Sequence, residues 1–269
     1  MILEIDNLDL EKIALSGQCF RWRRLNSPFI SYAIPAFGNT LIVFQKNNRF
    51  EFSCDETEWN TIWKYYFDIE RDYDSLGKRI LSSDDEYLKE AYNFGKGIRI
   101  LKQDLWEVIV SFMISQNNNI PRIKNSIDKI VDICKCSSRD DNDKFFRFPN
   151  YDEIDPGIFD DSSLGLGYRA SYLKELVIFC NENPYWLRSL YSMSYEEAFN
   201  SLLKIKGIGS KVANCICLFG LGHTESFPID THIKKILNDH YSNGIDLSLY
   251  PGEEGIIQQY MFFYELSKK

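Results

Sequence analysis

With 269 residues, 44% of them hydrophobic, the chain carries enough apolar side chain to bury a sizeable core divided into two or three lobes. A net charge of -8 excludes an unfocused electrostatic binder of polyanions, so any contact with nucleic acid has to come from a local basic face. Seven cysteines at 19, 54, 134, 136, 180, 215 and 217 are odd in number and scattered, which favours reduced thiols over a disulfide framework.

Residues 1 to about 55 read as sheet. Ile30, Tyr32 and Ile34 alternate, Leu41 to Phe44 is an apolar run, and Phe50 and Phe52 alternate again after an Asn47-Asn48 turn. Glu56 to Phe67 reads as a covering helix with Trp59, Ile62, Trp63 and Tyr66 on one side. The first turn of this lobe holds Ser16-Gly17-Gln18-Cys19-Phe20-Arg21-Trp22, dense in groups that both pack and bind. From about residue 70 the pattern is helical. Leu101, Leu105, Val108, Ile109, Phe112 and Met113 share a helical period that breaks at Asn117-Asn118-Asn119. Pro121 is placed at the first position of the next helix, whose buried face is Ile123, Ile127 and Ile130.

Residues 137 to 161 are predicted to be a loop that concentrates acids, among them Asp140, Asp141, Asp143 and Asp152. A helix through Leu173, Leu176, Val177 and Cys180 follows, and then a capping box of Ser194 and Glu197. Pro228-Ile229-Asp230-Thr231 leads into a helix bearing Ile233, Ile236 and Leu237, and a last helix spans about 254 to 266. The fold class is therefore α+β. Residues 1–95 are assigned to an antiparallel β lobe with its covering helix, and residues 96–269 to a helical region. No apolar run is long enough to span a membrane and no N-terminal targeting pattern is evident, so a cytosolic protein without membrane contact is expected.

The chain is organised around the stretch from Leu203 to Ala213. An apolar helical run ends near Leu203, a short turn carries Gly207 and Gly209, and Ser210 opens a second run. Both glycines allow close approach to the backbone, and the amides opening the second helix point outward towards an anion. Residues 201 to 217 hold three lysines and no acid, against the sign of the whole chain. A nucleotide phosphate cradle would need GxGxxG or GxxxxGK[ST] after a strand, and neither is present. A core helix–turn–helix without ligand remains equally open at this level.

Lys211 lies at the start of that second helix, where desolvation, nearby cations and the positive helix end all oppose its charge and favour a nucleophilic amine. An ordinary solvated lysine is the alternative. Asp230 sits between an apolar run and a new helix, a place that suits either N-capping or a carboxylate facing Lys211. His232 suits phosphate contact, proton relay or packing. The histidines at 223, 232 and 240 do not have zinc-ligand spacing.

The segments Gly207-Ile208-Gly209-Ser210-Lys211-Val212-Ala213-Asn214-Cys215 and Pro228-Ile229-Asp230-Thr231-His232 resemble the helix-hairpin-helix and Gly/Pro…Asp signature of DNA base-excision glycosylases. Gly17-Gln18-Cys19-Phe20-Arg21-Trp22, Ser115-Gln116-Asn117-Asn118-Asn119-Ile120 and Gly165-Leu166-Gly167-Tyr168-Arg169-Ala170 extend the resemblance to the 8-oxoguanine DNA glycosylase branch. This resemblance implies a bifunctional glycosylase and abasic-site lyase with Lys211 as nucleophile and Asp230 as its electrostatic partner, holding the lysine in place. It implies that the Gly17 carbonyl reads the N7 hydrogen of the lesion, that Cys215 and Phe262 sandwich the flipped base, and that Gln258 reads its Watson–Crick edge. Asn117 would enter the space beside the estranged cytosine, with Arg122 and Arg169 reading that cytosine. Gly207, Gly209 and His232 would contact DNA.

No cofactor is required by this chemistry, but the resemblance implies a structural monovalent cation, Na+ or K+, on the carbonyls of Leu203, Ile205 and Ile208. The implied partner is double-stranded DNA containing 8-oxoguanine, bound by a monomer in the cytoplasm or, in a eukaryote, the nucleus. Lys206 stands where many members have proline, which is expected to loosen the turn slightly. The competing readings are a related glycosylase for another lesion and a non-catalytic helix-hairpin-helix DNA-binding protein.

Overall fold

A computed structural model of the chain describes residues 1–135 and 147–268. Strands β1 (Ile2–Glu4), β2 (Arg23–Arg24), β3 (Ile30–Ala36), β4 (Asn39–Lys46) and β5 (Arg49–Phe52) form one antiparallel sheet in the order β1-β5-β4-β3-β2. Asn47, at φ 56°, turns β4 into β5 in the left-handed conformation that asparagine tolerates. Between β1 and β2 the chain forms a short helix, α1 (Leu10–Leu15), where sequence periodicity read only sheet. Six residues are too few to show a helical period; its markers are Asp9, whose side chain accepts the N–H of Lys12, and buried Leu10 and Ile13. The covering helix is continuous over 56–66: α2 (Glu56–Glu58), a π-helical turn (Trp59–Trp63) and α3 (Lys64–Tyr66). Its Trp59 packs on Phe52 with ring centroids 4.5 Å apart, and Trp63, Tyr66 and Phe67 complete the cover of the sheet.

The remaining helices are α4 (Tyr73–Ser82), α5 (Glu86–Gly95), α6 (Leu105–Ser115), α7 (Ile120–Cys134), α8 (Arg169–Glu182), α9 (Trp186–Leu190), α10 (Tyr195–Leu202), α11 (Ser210–Gly220), α12 (Thr231–His240) and α13 (Glu254–Ser267). α6 is buried on nearly all sides and runs through their centre, packed against α11. Two apolar cores result, and the division between them does not coincide with the boundary expected at residue 95. Leu76, Ile80, Leu88 and Ala91 of α4 and α5 belong to the large helical core, because α5 packs along α13 from the far end of the chain. Leu101, beyond that boundary, belongs to the core beneath the sheet.

Where the two cores meet, the buried Asp68 carboxylate pairs with Arg71 and Lys102 and accepts the Tyr73 hydroxyl, while Arg99 donates to the Asp68 carbonyl. Burial pushes the Asp68 carboxyl up, but the Lys102 hydrogen bond and the Arg71 charge outweigh it and hold it below the usual range.

Other expectations need small corrections. Pro121 occupies the second residue of α7, one position later than expected, since Asn119 caps the helix through the Arg122 N–H. Asp140, Asp141, Asp143 and Cys136 lie outside the described residues. The part of the predicted loop that is described folds into short 3-10 turns at Tyr151–Glu153, Pro156–Asp160 and Ser162–Leu164.

Candidate active site

Gly17 follows α1 at φ +77°, a conformation that L side chains resist. A Cβ there would lie 3.2 Å from the Phe262 ring on α13, so the backbone itself forms one wall of a pocket. The loop is held from several directions. Gln259 donates to the Ser16 carbonyl at 2.6 Å, the Ser16 hydroxyl donates to Ile13, and the Gln18 amide donates to the Ser16 hydroxyl and to the Arg99 carbonyl. The Gln259 bond joins the end of the first helix to the last one, across 243 residues of sequence.

The glycine turn between α10 and α11 forms as the sequence predicts. Gly207 takes φ +87°, and a Cβ on it would meet the Tyr172 ring at 2.5 Å. Gly209 caps α11 with no side-chain hydrogen bond, and a Cβ on it would meet nothing within 4 Å, which leaves the first amides of α11 open to an anion. Lys206 does not simply loosen the turn. Its ammonium pairs with Glu175 at 2.6 Å and lies 6.0 Å from the Tyr172 ring centre, tethering the turn to α8. Both partners are exposed, so solvent screens the pair and the tether is weak. Ile205 accepts the Ile208 N–H, whereas among the described residues the Leu203 and Ile208 carbonyls accept no backbone hydrogen bond.

Lys211, Cys215, Asp230, Gln258 and Phe262 are brought together with Gly17 around a small inner cavity of about 50 Å³. Lys211, Asp230, Gly17 and Phe262 also line an adjoining open cleft of about 540 Å³, with Asn117, His232, Ile120, Ile229 and Lys234 along it. The Lys211 ammonium lies 5.3 Å from the Phe112 ring centre, a cation–π contact that helps hold the side chain at the cavity. Burial pushes the neighbouring Cys215 thiol up, and the Lys211 charge acts against that rise. Asp230 makes no ion pair with Lys211 among the described residues, although both line the inner cavity. One carboxylate oxygen caps α12 through the Ile233 N–H at 2.9 Å and the other meets His232 Nδ1 at 3.2 Å. Capping and a seat beside the lysine are thus both true of Asp230.

Gln258 is 4% exposed, yet its Oε1 has no hydrogen-bond partner among the described residues. A buried acceptor left unmet costs about 1–3 kcal/mol, and Gln258 lines the inner cavity together with Phe262. Phe262 stands edge-on to His232 with ring centroids 5.6 Å apart. Phe112 is the wall residue that sequence reading placed only in the core. Its position on an all-round apolar helix gave no sign that one face of its ring meets a lysine.

The second cluster is the turn from α6 to α7. Ser115, Gln116 and Asn118 side chains donate to the carbonyls of Phe112, Met113 and Ile114, satisfying the end of α6, and Asn119 caps α7. Asn117 is left exposed at φ 45°, projecting into the cleft. Arg122 is exposed on the first turn of α7. Arg169, which the resemblance places at the estranged cytosine, is 8% exposed in the free protein, with its guanidinium turned onto backbone carbonyls of this turn.

A helix–glycine turn–helix beside a lysine and an aspartate, opening on a cleft with a small inner cavity, defines the lysine-bearing helix-hairpin-helix DNA glycosylases. Residues 1–109 match the family model of the 8-oxoguanine DNA glycosylase N-terminal domain. The chain is similar over 99% of its length to MBOgg1, seen in complex with a low-affinity DNA ligand, with a TM-score of 0.89, 31% identity and 95% of that chain covered. It is similar over its full length to the Clostridium acetobutylicum 8-oxoguanine glycosylase/lyase, seen with double-stranded DNA containing cytosine opposite 8-oxoG (TM-score 0.87, 32% identity, 98% of that chain covered). The Arabidopsis thaliana N-glycosylase/DNA lyase OGG1 is 33% identical over 150 residues, a match spanning 54% of this chain and 41% of that protein. The chain belongs to the 8-oxoguanine DNA glycosylase family.

Proposed function

We propose that this protein excises 8-oxoguanine from double-stranded DNA and then cleaves the strand at the resulting abasic site. The observation that carries the reading is the single cavity shared by Lys211, Cys215, Gln258, Phe262 and the Gly17 backbone, with Asp230 at its mouth. The Lys211 amine attacks the sugar C1′ and the bond to the oxidised base breaks, the base leaving with the electron pair. Loss of the ring oxygen bond gives a Schiff base, and removal of a C2′ proton then eliminates the 3′ phosphate. Asp230 supplies negative charge against the positive charge that grows on the sugar.

The orphan acceptor of Gln258 gains a partner when a base edge with an N–H enters. The Gly17 carbonyl accepts the N7 hydrogen that distinguishes the lesion from guanine; with guanine two acceptors face each other. A cavity of about 150 Å³ is needed to hold even benzene, so the inner cavity must open as the base enters, and Phe262, only half-buried, is the wall free to swing.

Asn117 fills the space left by flipping, and Arg122, on an exposed helix start, reads the estranged cytosine with its planar fork. The amides opening α11 hold a backbone phosphate. The carbonyls of Leu203, Ile205 and Ile208 suit a hard monovalent cation, which would add positive charge at that phosphate. The protein works as a monomer in the compartment that holds the genome.

The test is incubation with duplexes carrying 8-oxoguanine, uracil, 3-methyladenine or thymine glycol, with borohydride added in parallel. Release and covalent trapping on 8-oxoguanine alone is expected. Trapping on another lesion in its place would reassign the substrate, and tight binding without release on any would leave a DNA-binding module.

A further inference from the structure

Lys211 and Asp230 line one cavity without an ion pair between them among the described residues, so other contacts have to set their spacing. The helices involved pack in different directions: α11 lies against α6 and α10, whereas α12 lies along α13. The chain between them doubles back beside α11. The His223 N–H donates to the Cys217 carbonyl at 2.9 Å, and the Ser226 N–H donates to the His223 carbonyl at 3.0 Å. Ser226 then reaches α11 with its side chain. It is 0% exposed, and its hydroxyl has two acceptors on Asn214 within reach, Oδ1 at 2.8 Å and the backbone carbonyl at 2.9 Å. Asn214 is fixed in turn. The Tyr195 hydroxyl of α10 donates to its Oδ1 at 2.6 Å, and its amide donates to the Ser210 carbonyl at 3.0 Å.

Beyond Ser226 the stretch that delivers Asp230 has no such hold. Phe227, Pro228 and Ile229 make no backbone–backbone hydrogen bond among the described residues. Phe227 packs on the helical core, but an apolar contact is non-directional and sets no register. We infer that Ser226 is a positioning residue: it hangs the Asp230 loop on α11 at Asn214, three residues beyond Lys211, and so sets the carboxylate beside the amine. The cap on α12 holds Asp230 to its own helix, while the Ser226 tie holds it to the helix of the lysine. A shift of about 1 Å between reacting groups can cost on the order of a hundredfold in rate, so a single buried hydroxyl has room to matter. The inference rests on the proposed glycosylase reading for its rate assay and on the free protein's geometry for its content.

Ser226→Ala removes the hydroxyl and leaves Lys211, Asp230 and the α12 cap in the chain. Single-turnover excision from a duplex with 8-oxoguanine opposite cytosine is expected to fall at least tenfold, with affinity for the same duplex within twofold of wild type. In an Asp230→Asn background the further loss from Ser226→Ala should shrink to less than threefold, because the charge being placed is gone. An unchanged excision rate would overturn the inference. So would an equal loss in the asparagine background, which would make the role general to the fold. A fall in affinity that matched the fall in rate would move Ser226 to DNA binding and overturn it too.

Amide hydrogen exchange in the free protein reads the tie without DNA. Residues 224–230 are expected to exchange at least tenfold faster in Ser226→Ala than in wild type, while α11 and α13 keep their protection. Asn214→Leu leaves the Ser226 hydroxyl only its backbone acceptor, so it should raise exchange over the same residues by a smaller factor. No rise in either variant would overturn the tie, as would a rise spread through α11. Wild-type protein that released no 8-oxoguanine would sink the glycosylase reading, while the exchange measurement would still decide whether Ser226 holds the loop.

Discussion

The base cavity and the α6–α7 turn are both polar, both face the same cleft, and are built on opposite principles. In the turn almost every polar side chain is used: Ser115, Gln116 and Asn118 end one helix, Asn119 starts the next, and only Asn117 projects. In the cavity Gln258 is buried with an oxygen that nothing meets among the described residues, and Lys211 leans on a ring without a carboxylate partner among them. The turn is complete without DNA, whereas the cavity is complete only with a base in it. A surface that must push into a helix gains from rigidity set in advance. A pocket that must prefer one base gains from groups whose needs only that base meets.

The largest break in this comparison comes from Lys211→Gln. The variant keeps a polar chain of similar reach but loses the amine, so base release and borohydride trapping should fall by about a thousandfold or more while most DNA affinity stays. Trapping at the wild-type level would place the nucleophile elsewhere. Asp230→Asn comes next. Asparagine still caps α12 through the Ile233 N–H, so the thermal midpoint should hardly move, and excision should drop roughly a hundredfold for want of the charge. Equal single-turnover rates would leave Asp230 a cap and nothing more.

Gln258→Leu tests the unmet acceptor most directly. Replacing it with an apolar group of similar size removes a buried unsatisfied oxygen, so stability to urea should rise or hold, by up to about 1 kcal/mol. Excision of 8-oxoguanine should fall at least tenfold in the same variant. A loss of stability would mean that the amide already has a partner in the free protein. The smallest effect is expected on the other side of the cleft, where Asn119→Ala should cost about 1 kcal/mol of stability by uncapping α7. The opposite signs at Gln258 and Asn119 are the sharpest form of the contrast. If both variants are destabilised alike, the cavity is no less satisfied than the turn.

Much of this was legible from residue types. The strand alternation at Ile30, Tyr32 and Ile34, the Asn47-Asn48 turn, the capping box of Ser194 and Glu197, and the glycine turn at 207–209 are local signals, and each appears where its chemistry places it. The helix α1 was missed because six residues do not fill two helical turns. Phe112 was read as core because an apolar helix buried all round gives no period by which to tell a packing face from a cavity wall.

The sequence alone determined the elements, their caps and the inventory of reactive groups, because those depend on neighbours within four or five residues. Only the tertiary structure decided who meets whom. It seats Gly17 against Phe262 and ties Ser16 to Gln259, contacts between chain ends that no local pattern encodes. It leaves Asp230 on His232 rather than on Lys211, and it buries Arg169 against the carbonyls of Gln116 and Asn117. An arginine is drawn inward when backbone acceptors are stranded nearby, and that demand arises only when two distant segments fold against each other.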